Sequence, residues 1–596
     1  MFVNKLGGNR SRPLLCIYSP GTKEAMDFTE VWNNTRSNVS VAVVSSDVAA
    51  LREMIDSGNP VDVQDNRGWR PLHEAAAAGC SVEVLDLLLN HADTDVDWRT
   101  FEGETALLLA CKRLRGKTLL DIVNRLLRSH ASVNITDHEG DSPLLAATRA
   151  GETDVVRQLL CVGNANVNQC DCGFWYPLHE AAERGDLATL KCLIEHGRHT
   201  LLSVRDECRM TPVFVAAQQG HLSCLEFLLN TARARGRGSL VDHSAVDKAT
   251  PMMIAAQKGH RDCVELLLRH GADPNRTTSD NVTGLHLAVQ SNAVSCLRLL
   301  INAMDMQKLL EDCLQPFQRP RTPASELEAM ISPLHIAIEW GSHECLRELI
   351  VAGFDPNTYV LRVTELIEQL PRQVHPRYHS ALSYAVLRRD MASVRILLEA
   401  GANPNHISDK CINPLACALL DPNEQLMRLL VAAGGDLNRR YQTVHSGNPS
   451  LQLAVSDHNT LLRALRMGLD PAIGFSDEAS NLRLAVCIFH YKKNEQHALG
   501  VLETMQFFVT SPSPLKDLVN SCLCVGPQWC TLNRALWSAM LQTLDSPFKL
   551  KHLCRVVLRK WLHDIHGHYF EELIPRANFP PAIQNYLMCK DLSNST

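Results

Sequence analysis

Polar and apolar positions alternate along this chain in short blocks that end in glycine, and each block predicts a brief helix. The stretch from Asp247 to Asn275 shows the unit most clearly. Thr250 stands where a helix N-cap is wanted and Pro251 takes the first turn, where its missing N–H leaves no bond unmade. Ala255 and Ala256 keep that helix thin, so a neighbour can approach closely. Gly259 ends it by permitting a left-handed backbone. A second helix then turns Cys263, Val264, Leu266, Leu267 and Leu268 toward a core and stops at Gly271. The tail Ala272-Asp273-Pro274-Asn275 carries the chain outward into a hairpin-like finger.

The same block recurs. Pro71-Leu72-His73-Glu74-Ala75-Ala76 returns as Pro177-Leu178-His179-Glu180-Ala181-Ala182, with weaker copies at Pro143, Pro212, Pro251, Gly284, Pro333 and Pro414. From Pro71 to Gly284 the copies lie about 33 to 39 residues apart, the period of ankyrin repeats. The pattern predicts an all-α ankyrin-repeat solenoid with short hairpin fingers, in about twelve units over residues 34–475, preceded by a tail at 1–33. Two longer spacings predict insertions near 305–330 and 358–379. The periodicity stops near Phe475. A helical connector is expected over 476–545, and Asp545-Ser546-Pro547 opens a separate small helical segment, 546–596.

Composition removes several function classes. The 59 basic and 65 acidic residues nearly balance, so the basic footprint of a nucleic-acid binder is missing. No apolar run reaches membrane-spanning length. The 21 cysteines sit mostly singly in helical slots of small apolar residues, such as Cys192, Cys224 and Cys263, which points to a reducing, cytoplasmic setting. His73-Glu74 and His179-Glu180 start like a zinc-protease helix but lack its second histidine. Cys170, Cys172, Cys522, Cys524 and Cys530 lack paired Cys-x2-Cys spacing, and no phosphate-binding glycine loop or nucleophile elbow occurs. The sequence therefore predicts no cofactor, no metal and no catalytic residue.

In the last segment, Leu550, Cys554 and Leu558 recur four apart on one helical face, with Leu553, Val557 and Trp561 beside them. This Leu-x3-Cys-x3-Leu resembles the elongin C-binding box that opens a SOCS box. Phe579-Pro580-Pro581-Ala582-Ile583-Gln584-Asn585-Tyr586-Leu587 resembles the end of that module. Repeats followed by such a box resemble the ankyrin repeat and SOCS box proteins. The resemblance implies a non-catalytic substrate-recognition subunit of a ubiquitin ligase. Elongin B and elongin C would be held through Leu550, Leu553, Cys554 and Leu558. Cullin-5 with its RING-finger subunit would be held through Phe579, Pro580, Ile583 and Tyr586. The family's cullin-selecting motif is Leu-Pro-(apolar)-Pro, and here Ala577-Asn578 replaces its first half, which implies weakened cullin binding. The rival reading is an ankyrin scaffold with no ligase partner, its last helices serving as a cap.

Large aromatic residues cluster at the fingers of the first repeats: Trp69, Trp98, Phe101, Phe174, Trp175 and Tyr176. Finger tips are ordinarily polar, and aromatic rings are frequent interface anchors. Trp69, Phe101 and Trp175 are thus candidate substrate-binding residues, and Arg67, next to Trp69, is placed to orient an acidic partner. The alternative is that the rings prop neighbouring fingers.

Overall fold

The computed structural model describes residues 36–197, 201–235, 238–314, 332–357, 359–361, 378–405, 413–419, 424–439, 449–455 and 458–471, with a few positions between 501 and 518. The expected tail and the SOCS-box segment lie outside the described residues, as does nearly all of the connector. Among the described residues twelve helix pairs follow one another, from Asn38–Val44 with Val48–Asp56 to Pro449–Ala454 with His458–Arg466.

Local chemistry explains each pair. Thr105, Thr211 and Thr250 accept the N–H of Leu108, Phe214 and Met253 through their hydroxyl oxygens at 3.2, 3.3 and 3.4 Å, closing the open end of each first helix. A proline stands in the first turn at Pro71, Pro177, Pro212, Pro251 and Pro333. The helices Pro212–Gln219 and Pro251–Lys258 stop at Gly220 and Gly259, whose φ of +77° and +78° costs a glycine nothing.

The chain forms two compact units, residues 1–150 with 161–164 and residues 151–160 with 165–596. In the first unit the helices Pro71–Ala78, Ala106–Arg113 and Pro143–Ala150 pack in succession. Leu107, Leu108, Leu109, Leu119, Ile122 and Leu126 are wholly buried beneath them. At about 1.5–3 kcal/mol for each fully buried leucine, this apolar seam is the main stabilising term.

In the second unit the first helices from Pro177–Arg184 to Pro449–Ala454 stack in the same way, around the fully buried rings of Phe214 and Tyr384. The endings Asp355-Pro356-Asn357, Asn403-Pro404-Asn405 and Asp436-Leu437-Asn438 also join its repeats. The side-chain oxygens of Asn357, Asn405 and Asn438 accept the N–H of Asn403, Asp436 and Asp470 one repeat later, at 2.8, 2.6 and 2.7 Å. Asn405 and Asn438 each donate in return to a glycine carbonyl of that next repeat. A buried or partly buried amide that bonds both ways fixes spacing between repeats as well as within them.

Two segments depart from the pattern. The first expected insertion begins as a helix, Met306–Leu314, with Leu309 buried. The second is bounded by two three-residue strands, Tyr359–Leu361 and Tyr378–Ser380, paired antiparallel with Val360 opposite His379. The architecture is all-α, and this short β pairing is a local addition where the ends of a long excursion meet and satisfy their backbone groups.

Candidate partner-binding surface

The fingers that begin at Asp65, Thr100, Asp137 and Asp171 are five-residue hairpins held by their first side chain. Asp65 accepts the backbone N–H of Arg67 and of Trp69 at 2.8 Å each. Thr100, Asp137 and Asp171 accept the N–H of Glu104, Asp141 and Trp175 in the same way. The fourth position is left-handed, filled by Gly68, Gly103 and Gly140 in the first unit. Within that unit one backbone bond joins each finger to the next: Phe101 N–H donates to the Arg67 carbonyl, and His138 N–H to the Glu102 carbonyl, at 3.1 Å each.

This geometry sorts the aromatic rings. Trp69 and Trp175 occupy the fifth finger position, immediately before the helix, and are only 5% and 4% exposed. The Trp69 ring is met by two guanidinium groups, Arg67 at 4.2 Å and Arg113 at 4.7 Å from its centroid. Trp175 stacks on His179 at 4.9 Å and donates its indole N–H to the Glu180 carboxylate at 3.0 Å. The expectation that these two rings face a partner is corrected: both are props. Trp98 is half-buried, donates to the Gly68 carbonyl at 3.3 Å and carries the Arg70 guanidinium on its face at 3.5 Å. Phe101 differs. It is 61% exposed at the second position of its finger, set against Gly68, where a Cβ would come within 2.9 Å of its ring. Phe174, in the second unit, is 55% exposed and adopts φ +56°, the left-handed place that glycine fills in other fingers. An aromatic residue there is uncommon and strained.

Arg67 is not a free cation. Its guanidinium pairs with Asp65 at 2.6 Å and with Glu74, which also receives Arg36 at 2.9 Å. Burial alone would raise the Asp65 carboxyl. The N–H groups of Trp69 and Arg67 and the Arg67 guanidinium outweigh it and hold Asp65 below the usual carboxylate range. Asp137, Glu139 and Asp141 bring carboxylate oxygens within 4.8 Å of one another, but Asp137 pairs with Lys112 and Asp141 with Arg149. These acidic groups serve the finger.

The Pro-Leu-His histidine is a joint between repeats. Arg70 N–H donates to His73 Nδ1 at 3.2 Å, so Nδ1 carries no proton, and Nε2–H donates to the Trp98 carbonyl of the next repeat at 3.0 Å. His179 repeats the arrangement with Tyr176 N–H and the Met210 carbonyl. Burial holds His73 below its ordinary value, and the Arg70 charge adds to this against the hydrogen bond to Trp98. The unfolded chain therefore binds the proton first. The contribution is fully present above the unfolded pKa of about 6.5 and is lost as pH falls from there toward the lower folded value. Urea midpoints at pH 7.5 and pH 5.5 should differ less in His73→Gln than in the wild type; equal slopes would count against this joint.

Comparisons with known proteins add what the described residues do not reach. The ankyrin-repeat family model (three copies) matches over residues 39–137, 114–200, 144–237, 178–278 and 236–312, and the single ankyrin repeat matches 331–359. The SOCS box family model matches residues 546–588. The chain belongs to the ankyrin repeat and SOCS box proteins. This ankyrin repeat and SOCS box chain is 36% identical to "Ankyrin repeat and SOCS box protein 3" of Homo sapiens over 33% of its own length and 37% of that protein. It is 29% identical to "Ankyrin repeat and SOCS box protein 14" of Mus musculus over 40% of its length and 41% of that protein. The chain thus covers about two fifths of the length of these curated relatives. The crystal structure of the human ASB11 ankyrin repeat domain is similar at 22% identity with a TM-score of 0.33, covering 44% of this chain and 98% of that one. Leu550, Leu553, Cys554, Leu558, Phe579, Pro580, Ile583 and Tyr586 fall inside the SOCS box match and outside the described residues. Among the described residues no helix is long and apolar enough to cross a membrane.

Sequence reasoning missed Arg113 and Arg70. Arg113 stands 44 positions beyond Trp69 and reaches it only because the next repeat stacks alongside. The one available signal was a tryptophan at a finger position where other repeats carry Glu104 or Asp141.

Proposed function

We propose that this chain is the substrate-recognition subunit of an elongin–cullin–SOCS-box ubiquitin ligase. The observation that carries the reading is a SOCS box match at 546–588, C-terminal to an ankyrin array. The box docks elongin C through Leu550, Leu553, Cys554 and Leu558, spaced to share one helical face, with elongin B alongside. Phe579, Pro580, Ile583 and Tyr586 meet cullin-5 and its RING-finger subunit, more weakly than a full motif because Ala577-Asn578 stands in place of Leu-Pro. The chain carries out no chemistry itself. It holds a target near a charged conjugating enzyme and so raises the effective concentration of the reacting lysine. Target contact falls on the finger face of the first unit, with Phe101 offered to solvent and Trp69 and Arg67 setting the finger positions. The setting is cytoplasmic, where exposed thiols such as Cys161, Cys172 and Cys208 stay reduced.

The deciding experiment is co-purification of the full chain with elongin B and elongin C. Leu550→Pro combined with Cys554→Phe should abolish capture while the circular dichroism of the array is unchanged. Capture retained by that variant would overturn the ligase reading and leave an ankyrin scaffold.

A further inference from the structure

The first unit arranges its charges in two layers. Five carboxylates lie beneath the finger and first-helix face: Asp65, Glu74, Glu104, Asp137 and Asp141, each with its side chain 8% exposed or less. The cations that pair with them lie on top. Arg36, Arg67, Lys112 and Arg149 have side chains 27–35% exposed. The bonds are short: Lys112 bridges Glu104 at 2.8 Å and Asp137 at 2.5 Å, and Arg149 reaches Asp141 at 2.7 Å. The carboxylates therefore fix where the cations stand. The finger tips carry exposed carboxylates of their own, Glu102 and Glu139, so the outward-facing positive charge is confined to the first-helix side of the face, where buried anions lie under exposed cations.

Two further arginines tip the balance. Arg113 is exposed at the end of the helix Ala106–Arg113. Among the described residues its only recorded partner is the Trp69 ring, which holds the guanidinium in place without neutralising it. Arg70 lies on Trp98 in the same fashion, and its Nε is buried without a hydrogen-bond acceptor. A guanidinium stacked on an aromatic face keeps its edge N–H groups free for a carboxylate, and its rotamer is already fixed. At the edge of this face stands the exposed Phe101, joined to the Arg67 finger by the backbone bond described above.

We propose that this face of the first unit recognises an acidic, extended peptide segment of the target, with Arg113 as its carboxylate-binding residue and Phe101 receiving an apolar side chain within the acidic run. The proposal rests on the reading of the chain as a substrate receptor and specifies the chemistry of what it receives. Charge complementarity selects the occupant. A basic or neutral segment would lose solvation against the guanidinium layer with nothing to pair to it, and an acidic one gains charge-assisted bonds at several positions. A flat polyanion such as single-stranded nucleic acid would satisfy the charges but leave one fixed aromatic at the rim to stack on.

The test uses the purified full chain and a fluorescein-labelled peptide of about twelve residues, Asp and Glu with a central Leu, read by fluorescence anisotropy. Its Gln/Asn counterpart and an oligothymidylate of similar length serve as comparison ligands. The acidic peptide should bind, the neutral one should not, and raising NaCl from about 50 to 300 mM should weaken binding about tenfold or more, as screening requires. Arg113→Glu should lower affinity at least tenfold and Phe101→Ala a few-fold. Lys258→Glu, the same charge change at the end of a helix in the second unit, should have no effect. Arg113→Gln guards against a folding artefact: it keeps a planar group on Trp69, and loss of binding at unchanged melting temperature supports a direct role. Equal binding of the neutral peptide, tighter binding of oligothymidylate, or unchanged affinity in Arg113→Glu each overturns the proposal. Elongin capture measured on the same preparations separates the two readings: capture retained without acidic-peptide binding leaves the receptor standing and removes only this inference.

Discussion

Trp69→Ala lowers the unfolding free energy by about 3–5 kcal/mol, the range for truncating a large buried ring, whereas Phe101→Ala changes it by less than about 0.5 kcal/mol. The contrast follows from position alone. Trp69 is 5% exposed and carries the Arg113 guanidinium on its ring, so removing it opens a void and takes away the group on which Arg113 rests. Phe101 is 61% exposed and leaves no cavity. Trp175→Ala should fall with Trp69→Ala and lose more than volume, because the Glu180 carboxylate, itself buried, would lose its indole N–H donor. Urea denaturation followed by circular dichroism checks all three. A Trp69→Ala protein that unfolds at the wild-type midpoint would mean the ring is not a prop, and a Phe101→Ala protein that unfolds early would mean that Phe101 is one.

These rings also show where sequence reading stops. The helices, their caps and their glycine stops were legible because each depends on residues within one turn: Thr250 with Met253, Pro251 in its own first turn, Gly259 at its own φ. The orientation of a finger side chain depends on hairpin position. In a hairpin adjacent residues point to opposite sides, so Phe174 is exposed and Trp175 is buried although they are neighbours. Composition groups them as one aromatic cluster; the backbone separates them. The Arg113–Trp69 contact was still less accessible, since it requires knowing that the end of one repeat's first helix lies over the finger of the repeat before it. The SOCS box behaves differently. Its signature is a local spacing, Leu550, Cys554 and Leu558, and it was legible without any tertiary knowledge.

Gly220→Ala should destabilise the second unit by about 2–4 kcal/mol, more than any cap substitution in it. Two costs add. Gly220 has φ +77°, where an alanine pays about 1–2 kcal/mol of backbone strain. A Cβ there would also lie 2.5 Å from the His260 ring, which is held in place by its Nε2 bond to the Gln218 carbonyl at 3.1 Å. The ring must move and the bond is lost, at about 0.5–1.5 kcal/mol or more if the carbonyl is left unpaired. Gly271→Ala isolates the first cost: its φ is +86°, and nothing lies within 4 Å of its would-be Cβ. The chain itself provides the relief. At the following joint Gly259 faces Ala293 rather than histidine, and a Cβ there would meet the Ala293 methyl at an ordinary 3.7 Å. Gly220→Ala combined with His260→Ala gives the new Cβ the alanine neighbour that a Cβ at Gly259 would meet. The double variant should therefore be destabilised by less than the sum of the two single variants, with a coupling of about 1 kcal/mol or more. If Gly220→Ala costs no more than Gly271→Ala, or the double variant is strictly additive, then the His260 ring is not what excludes a side chain at this turn.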